Sequence, residues 1–302
     1  MVEAKSEERR LLEKRARLYL LIVFGLVLVE FIARFSLASP LKLFSFIPLI
    51  SAGLTRIITK DRSSWLVKPN LKKSWRVYLL AAFVPALLIF ASAVIYFILF
   101  PAHLDLTAAR LIETYGQFGM PTDLPHTVDS LITLGLVGVF LSPWILPIVL
   151  FAFGEEAGWR GYFLPILLQL MGKQKAILLS GFLWGVAHAP LVYLGLNYGL
   201  EYPGAPYTGM MAMTLFCMVL GIWLSFVTME SGSVIPASIL HGSINFIGEF
   251  PALVAITGVN PLVGPNPGSL IGGLGLLIGA IVLWRVMDKT NEIRGELVTW
   301  KR

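Results

Sequence analysis

The chain has 302 residues, of which 56% are hydrophobic and only 14% are charged, and its mean hydropathy is +0.77. A soluble globular chain has about 25% charged residues, so we expect lipid to solvate part of this surface. Four histidines and a single cysteine, Cys217, exclude a disulfide scaffold and a cysteine-rich zinc module. The net charge of +6 does not indicate nucleic-acid binding, because the bases lie beside apolar segments.

Long apolar stretches predict the membrane spans, because a bilayer core of about 30 Å needs about 20 apolar helical residues. Two N-terminal segments, 18–41 and 43–55, are the weaker candidates. Five later stretches contain no Asp, Glu, Lys or Arg: 77–102, 130–154, 176–200, 202–229 and 231–248. A last span is expected within 269–284, after a connection rich in Pro and Gly at 250–268. The sequence therefore predicts an all-α polytopic membrane protein with about eight spans.

The basic residues predict the orientation of these spans. They cluster before residue 18, within 56–76, at Lys173 and Lys175, and after residue 284. With eight spans every cluster falls on one side, so both termini are expected in the cytoplasm of a multi-pass cell-membrane protein.

The domain organisation follows from these spans. Residues 1–76 are expected to form an N-terminal cytoplasmic segment with a helical hairpin and a basic loop. Residues 77–302 then form the transmembrane core of a single membrane domain, with the polar motifs in 130–250. The segment 155–171 is expected to lie along the cytoplasmic interface or dip partway in, as a helix kinked at Pro165.

Ionisable side chains at membrane depth are costly, so each one is a candidate functional group. Glu30 and Arg34 are four residues apart on one helix and are expected to neutralise each other. Glu156 and Arg160 have the same spacing, whereas Glu155 points elsewhere and is available for chemistry.

Two histidines are expected at similar depth, on the same side of the membrane as Glu155. His188 and His241 each lie within an apolar span, and Asn245 shares a helix face with His241. A carboxylate or an imidazole can activate water, while a second imidazole and an amide can stabilise an oxyanion, which is typical of acyl-bond hydrolysis.

A metal site is the competing interpretation, since one Glu and two His are ligands in catalytic zinc hydrolases. The helix-borne HExxH motif is absent, and so is the G-x-S-x-G motif of serine hydrolases. Cys217 has no evident catalytic partner, so a cysteine nucleophile has little support.

These motifs resemble one family. The order EExxxR from Glu155 to Arg160, then Trp184 four residues before His188, then HxxxN from His241 to Asn245, is similar to the CPBP superfamily of intramembrane proteases. That superfamily includes the CAAX prenyl endopeptidases, among them the Ras-converting type, and the Abi family of bacteriocin-processing or self-immunity proteins.

The resemblance implies an all-helical membrane fold whose cavity faces the cytoplasm. It makes Glu155 and His188 the water-activating pair and His241 and Asn245 the oxyanion-stabilising pair. Glu156 and Arg160 would hold the helices, and Trp184 would support the site at a position where the family usually shows Phe.

The family has been classed both as metal-independent glutamate proteases and as metalloproteases. No cofactor is expected; the alternative is zinc, held by Glu155, His188 and His241.

The function implied by the resemblance is endopeptidase cleavage of a membrane-anchored protein or a lipidated peptide, such as a prenylated CAAX segment, within the lipid bilayer. The alternative is a non-enzymatic membrane partner, such as a bacteriocin immunity or scaffold protein. A proton-coupled transporter is the least favoured, because it predicts carboxylates spread through the spans and only the self-paired Glu30 fits.

Overall fold

The computed structural model describes residues 2–37, 43–117 and 127–294, and within these ranges the chain is built from helices without a β-strand. The helices are α1 Val2–Leu37, α2 Ile47–Thr59, α3 Leu71–Leu99, α4 Ala109–Gln117, α5 Val128–Leu141, α6 Leu146–Gly158, α7 Leu164–Leu170, α8 Lys173–Tyr193, α9 Tyr207–Ser231, α10 Ile235–Ile247, α11 Phe250–Leu253 and α12 Leu274–Arg294. The predicted all-α membrane fold is confirmed.

Four helical segments among the described residues are long and apolar enough to cross a bilayer: Ser6–Phe35, Leu71–Leu99, Lys173–Tyr193 and Tyr207–Ser231. A bent pair, Val128–Trp144 with Leu146–Leu170, is a fifth if it counts as one span. The helices α2 and α10 have 13 residues each, which gives a length of about 20 Å. The number of eight spans therefore stays a prediction.

The segment around Glu155 is not a separate interfacial helix, so that prediction is wrong. α6 begins at Leu146, after a bend of 57° at the turn Ser142–Trp144, and Glu155 lies in its last turn. Every residue from Gly154 to Leu164 is buried. The two carboxylates and Arg160 can lie inside the protein because they find polar partners there.

A π-helical turn, Trp159–Phe163, joins α6 to α7 and ends two residues before Pro165. The N–H of Leu164 donates to the carbonyl of Trp159, five residues back. The wider turn lies where a proline ring would otherwise crowd the preceding carbonyl of an α-helix. The predicted irregularity near Pro165 thus takes the form of a π-turn.

The N-terminal helices pack directly on the core. Tyr19 of α1 is fully buried, with its ring centroid 5.1 Å from that of Phe163 and 5.7 Å from that of Trp159. α2 crosses α6 where Gly158 faces Pro48: a Cβ on Gly158 would lie 2.3 Å from the backbone carbonyl carbon of Pro48. The segment before residue 77 is therefore part of the scaffold that positions α6.

The helices α8 and α9 approach each other closely through glycines. A Cβ on Gly185 would lie 2.6 Å from the Cα of Thr214, and one on Gly181 would lie 2.9 Å from the Cα of Met218. Small residues allow such backbone approach between membrane helices. This crossing fixes the part of α8 that carries Trp184 and His188.

We expect Gly158→Ala to destabilise the protein by about 1–3 kcal/mol, because overpacking a rigid contact forces backbone shifts. Thermal unfolding in detergent micelles measures the change. Gly53→Ala on α2 is the matched control, since a Cβ there meets nothing within 4 Å. Equal melting temperatures for the two variants would contradict the packing of α2 on α6.

Candidate active site

One cavity of about 350 Å³ collects the polar residues that the sequence singled out. Glu155 from α6, His188 from α8, and His241 and Asn245 from α10 all line it. Most of the remaining wall is apolar, contributed by Leu191, Met213, Phe216, Leu220 and Ile244, among others. The structure thus brings together four side chains that are spread over 90 positions of sequence.

Glu155 and His188 face each other across this cavity. Nε2 of His188 lies 3.9 Å from Oε2 of Glu155, and both side chains are almost completely buried. The Nδ1 atom of His188 is 2.9 Å from the carbonyl oxygen of Trp184. Because a carbonyl oxygen can only accept, Nδ1 carries a proton and donates it to this bond.

This arrangement determines what can lie between the two side chains. In the neutral imidazole, Nε2 then carries a lone pair, and the ionised carboxylate of Glu155 is also an acceptor. Two acceptors that face each other need a shared donor, and a water molecule can donate one hydrogen to each. The geometry therefore suits the binding and polarisation of a water.

Glu156 points about 100° away from Glu155 around the helix and is completely buried. Its Oε1 accepts from Nη1 of Arg160 at 3.2 Å, as the four-residue spacing predicts. The same oxygen accepts from Nδ1 of His241 at 2.9 Å. A carboxylate oxygen can accept more than one bond, so Glu156 joins α6 and the π-turn to α10.

Trp184 contacts Glu155, Arg160 and both histidines. Its indole N–H donates to Oε2 of Glu155 at 2.9 Å, and the Arg160 guanidinium lies 4.3 Å above its ring. The His188 and His241 rings meet it edge-on, with centroids at 5.5 and 5.3 Å. A phenylalanine at this position has no N–H to donate, so the tryptophan adds a hydrogen bond that holds Glu155.

Comparison with known proteins agrees with this geometry. Residues 137–247 match the model of the family described as type II CAAX prenyl endopeptidase Rce1-like. The central segment is thus similar to the domain of that family. A curated relative, CAAX prenyl protease 2 of Methanococcus maripaludis, is 29% identical over 143 residues, which cover 47% of this chain and 49% of the relative. The chain thus matches about half the length of that relative.

The range that matches the family model contains every motif residue from Glu155 to Asn245. Phe44 and Ser45 lie outside it and were missed by sequence reasoning. The ring of Phe44 lies 4.8 Å from that of His188, and Ser45 lines the cavity. No motif marks them, because they reach the site only through the packing of α2 on α6.

Three connections of the chain also contribute to the cavity wall, through Tyr198, Glu249 and Asn266, which no motif predicted. Glu249 directly follows the apolar stretch 231–248, and this position alone predicts only a solvated charge at the end of a span. Its side chain is exposed, yet partial desolvation by the surrounding protein raises the pKa of its carboxyl group, and Arg110 opposes this effect. The Pro and Gly content of 250–268 was the only sequence signal for this wall.

The residues of the alternative zinc site, Glu155, His188 and His241, do not form a ligand set in this structure. Within the described ranges, no three His, Cys, Asp or Glu side chains are placed to hold one metal ion. His241 directs Nδ1 to Glu156, whereas Glu155 bonds to Trp184 and faces His188. No step of the proposed reaction is therefore assigned to a metal ion.

We expect Glu156→Gln to destabilise the domain by about 3–5 kcal/mol, because it leaves the buried Arg160 charge without its counterion. Unfolding in detergent, followed by tryptophan fluorescence, measures the loss. The control is Glu13→Gln, which removes an exposed pair with Arg9 on α1 and should cost less than about 1 kcal/mol. A loss at Glu156 no greater than that at Glu13 would show that the buried pair contributes nothing.

Proposed function

We propose that this chain is an intramembrane endopeptidase that hydrolyses a peptide bond of a membrane-anchored substrate. The observation that carries the proposal is the pair of acceptors, Glu155 Oε2 and His188 Nε2, which face each other in a cavity that also contains His241 and Asn245. The names of the family and of the relative refer to CAAX prenyl substrates. Prenylated C-terminal segments are therefore one source of such a substrate.

In the first step a water bound between Glu155 and His188 attacks the carbonyl carbon of the scissile peptide bond. Glu155 accepts a proton from this water as the new C–O bond forms, and His188 orients the water through Nε2. The indole N–H of Trp184 holds the carboxylate of Glu155 in place. The carbonyl oxygen becomes an oxyanion in the tetrahedral intermediate.

His241 and Asn245 are assigned to this oxyanion. Nδ1–H of His241 donates to Glu156, and a carboxylate in that position stabilises positive charge on an imidazole ring. In the charged ring Nε2–H can donate to the oxyanion together with the amide N–H of Asn245. Glu156 and Arg160 act by positioning His241 and do not touch the substrate.

The intermediate collapses when the proton held by Glu155 passes to the amide nitrogen of the leaving segment. The C–N bond then breaks, which yields a new carboxylic acid and a new amine. The acid passes its proton to the amine, so the products are a carboxylate and an ammonium group. Glu155 returns to its ionised form, and a second water restores the site. The whole cycle uses one water and needs no oxidant, reductant or metal.

Replacing Glu155 by Gln or His188 by Ala should lower kcat/KM by about 10²–10⁴-fold, the range of general acid–base catalysis. Cleavage of a lipid-anchored peptide in proteoliposomes, read by mass spectrometry, measures it. His103→Ala is the control, since His103 bonds to Tyr96 outside the cavity.

Unchanged cleavage by a folded Glu155→Gln variant would contradict the mechanism. If neither the parent protein nor the variants cleave, and both still bind a membrane partner, a non-enzymatic role is favoured instead. The same assay with a chelator tests the metal-independent chemistry: we expect no loss of rate, and a loss that zinc restores would overturn it.

A further inference from the structure

The helix ends of this protein divide into two faces. The start of α8 and the end of α12 lie together, because Lys173 donates to the carbonyl of Met287 and Gln174 donates to Asp288, each at 2.7 Å. The end of α9 lies beside the start of α3, where the Asn70 side chain donates to the carbonyl of Ser231 at 3.0 Å. α8 and α9 form an antiparallel hairpin, so these ends share one face, which we call the basic face.

The two faces differ in charge. The start of α1 and the connection after α2 belong to the basic face, because Arg15 pairs with Asp61 and the N–H of Val234 donates to the carbonyl of Leu66. The bases of this face whose side chains the structure describes are Arg9, Arg10, Lys14, Arg15, Arg17, Arg56, Lys60, Arg62, Lys68, Lys72, Lys73, Arg76, Lys173, Lys175 and Arg285, against the acids Glu7, Glu8, Glu13, Asp61, Glu230 and Asp288. On the described connections of the opposite face, 100–117, 194–206 and 248–273, Arg110 is the one Lys or Arg, against Asp105, Glu113, Glu201 and Glu249. Excess Lys and Arg mark the cytoplasmic side of a membrane protein.

The cavity is lined by connections of the acidic opposite face. Asn197 and Tyr198 follow α8, Glu249 follows α10, and Asn266 and Gly268 precede α12. The Tyr198 hydroxyl donates to the carbonyl of Gly268 at 2.9 Å, which ties two of these connections together. No connection of the basic face contributes a lining residue among those that the structure describes.

Exposure changes along the cavity in the same direction. On α10, Ser238 and His241 are 1% and 4% exposed, whereas Asn245, further from the basic face, and Glu249, just after the helix, are exposed. Between the catalytic side chains and the basic face lies a layer of fully buried residues that includes Arg160. The cavity is therefore closed towards the basic face and lined by loops at the opposite end.

We propose that the cavity receives its substrate from the extracytoplasmic face, so that the substrate is a polypeptide whose scissile bond is exposed outside the cytoplasm. This inference specifies the substrate class and rests on the proposed function. It replaces the expectation of a cytoplasm-facing cavity, because cytoplasmic termini and a cavity lined by the opposite loops place the substrate on the other side. It also replaces the prenylated segment as the source of substrate, since such a segment would be presented in the cytoplasm.

A polar group at this end is suited to the first contact with a polypeptide. The side-chain Oδ1 of Asn266 is buried and accepts no hydrogen bond, and Asn266 lines the cavity. An acceptor in that state gains a partner when a main-chain N–H of a substrate enters. A segment in extended conformation supplies such an N–H.

Single-cysteine labelling tests the direction of access. Cys217 is buried and is the one cysteine of the sequence, so Cys217→Ser gives a thiol-free background. In this background Asn197→Cys and Lys175→Cys place a thiol near the two ends of α8, both at exposed positions. Glu201→Cys on the opposite face and Lys72→Cys on the basic face are a second pair of exposed positions, for use if a member of the first pair does not fold.

We expect a charged, membrane-impermeant maleimide to label Asn197→Cys in intact spheroplasts and to label Lys175→Cys only after permeabilisation. The reverse pattern would overturn the proposal and place the substrate in the cytoplasm, where a prenylated segment would be presented. Labelling needs no proteolysis, so its result is independent of the proposed function. If the expected labelling pattern is found but the protein cleaves no substrate, the access route is supported and the endopeptidase activity is not.

Discussion

The site depends on one completely buried carboxylate. Glu156 accepts from Arg160 and from His241, and this pairing offsets the large cost of removing a charge from water. The network joins the end of α6, the π-turn and α10, while the stacking of Arg160 on Trp184 joins it to α8. Three elements that carry the functional side chains are thus held by a single polar cluster.

The burial of Glu156 gives the neighbouring carboxylate a different environment. Successive residues of an α-helix point about 100° apart, so Glu155 faces the cavity while Glu156 faces its partners in the protein interior. Trp184 contacts both environments, since its N–H bonds to Glu155 and its ring covers Arg160. The paired glutamates therefore have separate structural and chemical roles, although they are adjacent in sequence.

Local spacing was sufficient to predict part of this arrangement. The Glu156–Arg160 pair follows from positions four apart on one helix, and so does the placement of Asn245 one turn after His241. The bond from His241 to Glu156 joins residues 85 positions apart, and Phe44 reaches His188 through the packing of α2; neither has a local signal. The prediction of an interfacial helix was wrong because the charged residues of 155–160 indicated exposure to water, whereas the pairing of these charges with polar partners allows burial.

An experimental density map of the protein in a lipid nanodisc, at a resolution that shows ordered water, tests the central claim most directly. The account predicts a water within hydrogen-bonding distance, about 2.7–3.2 Å, of both Glu155 Oε2 and His188 Nε2. It also predicts that Nδ1 of His188 stays bonded to the carbonyl of Trp184. A His188 ring turned away from Glu155, with no water bound between them, would contradict the account.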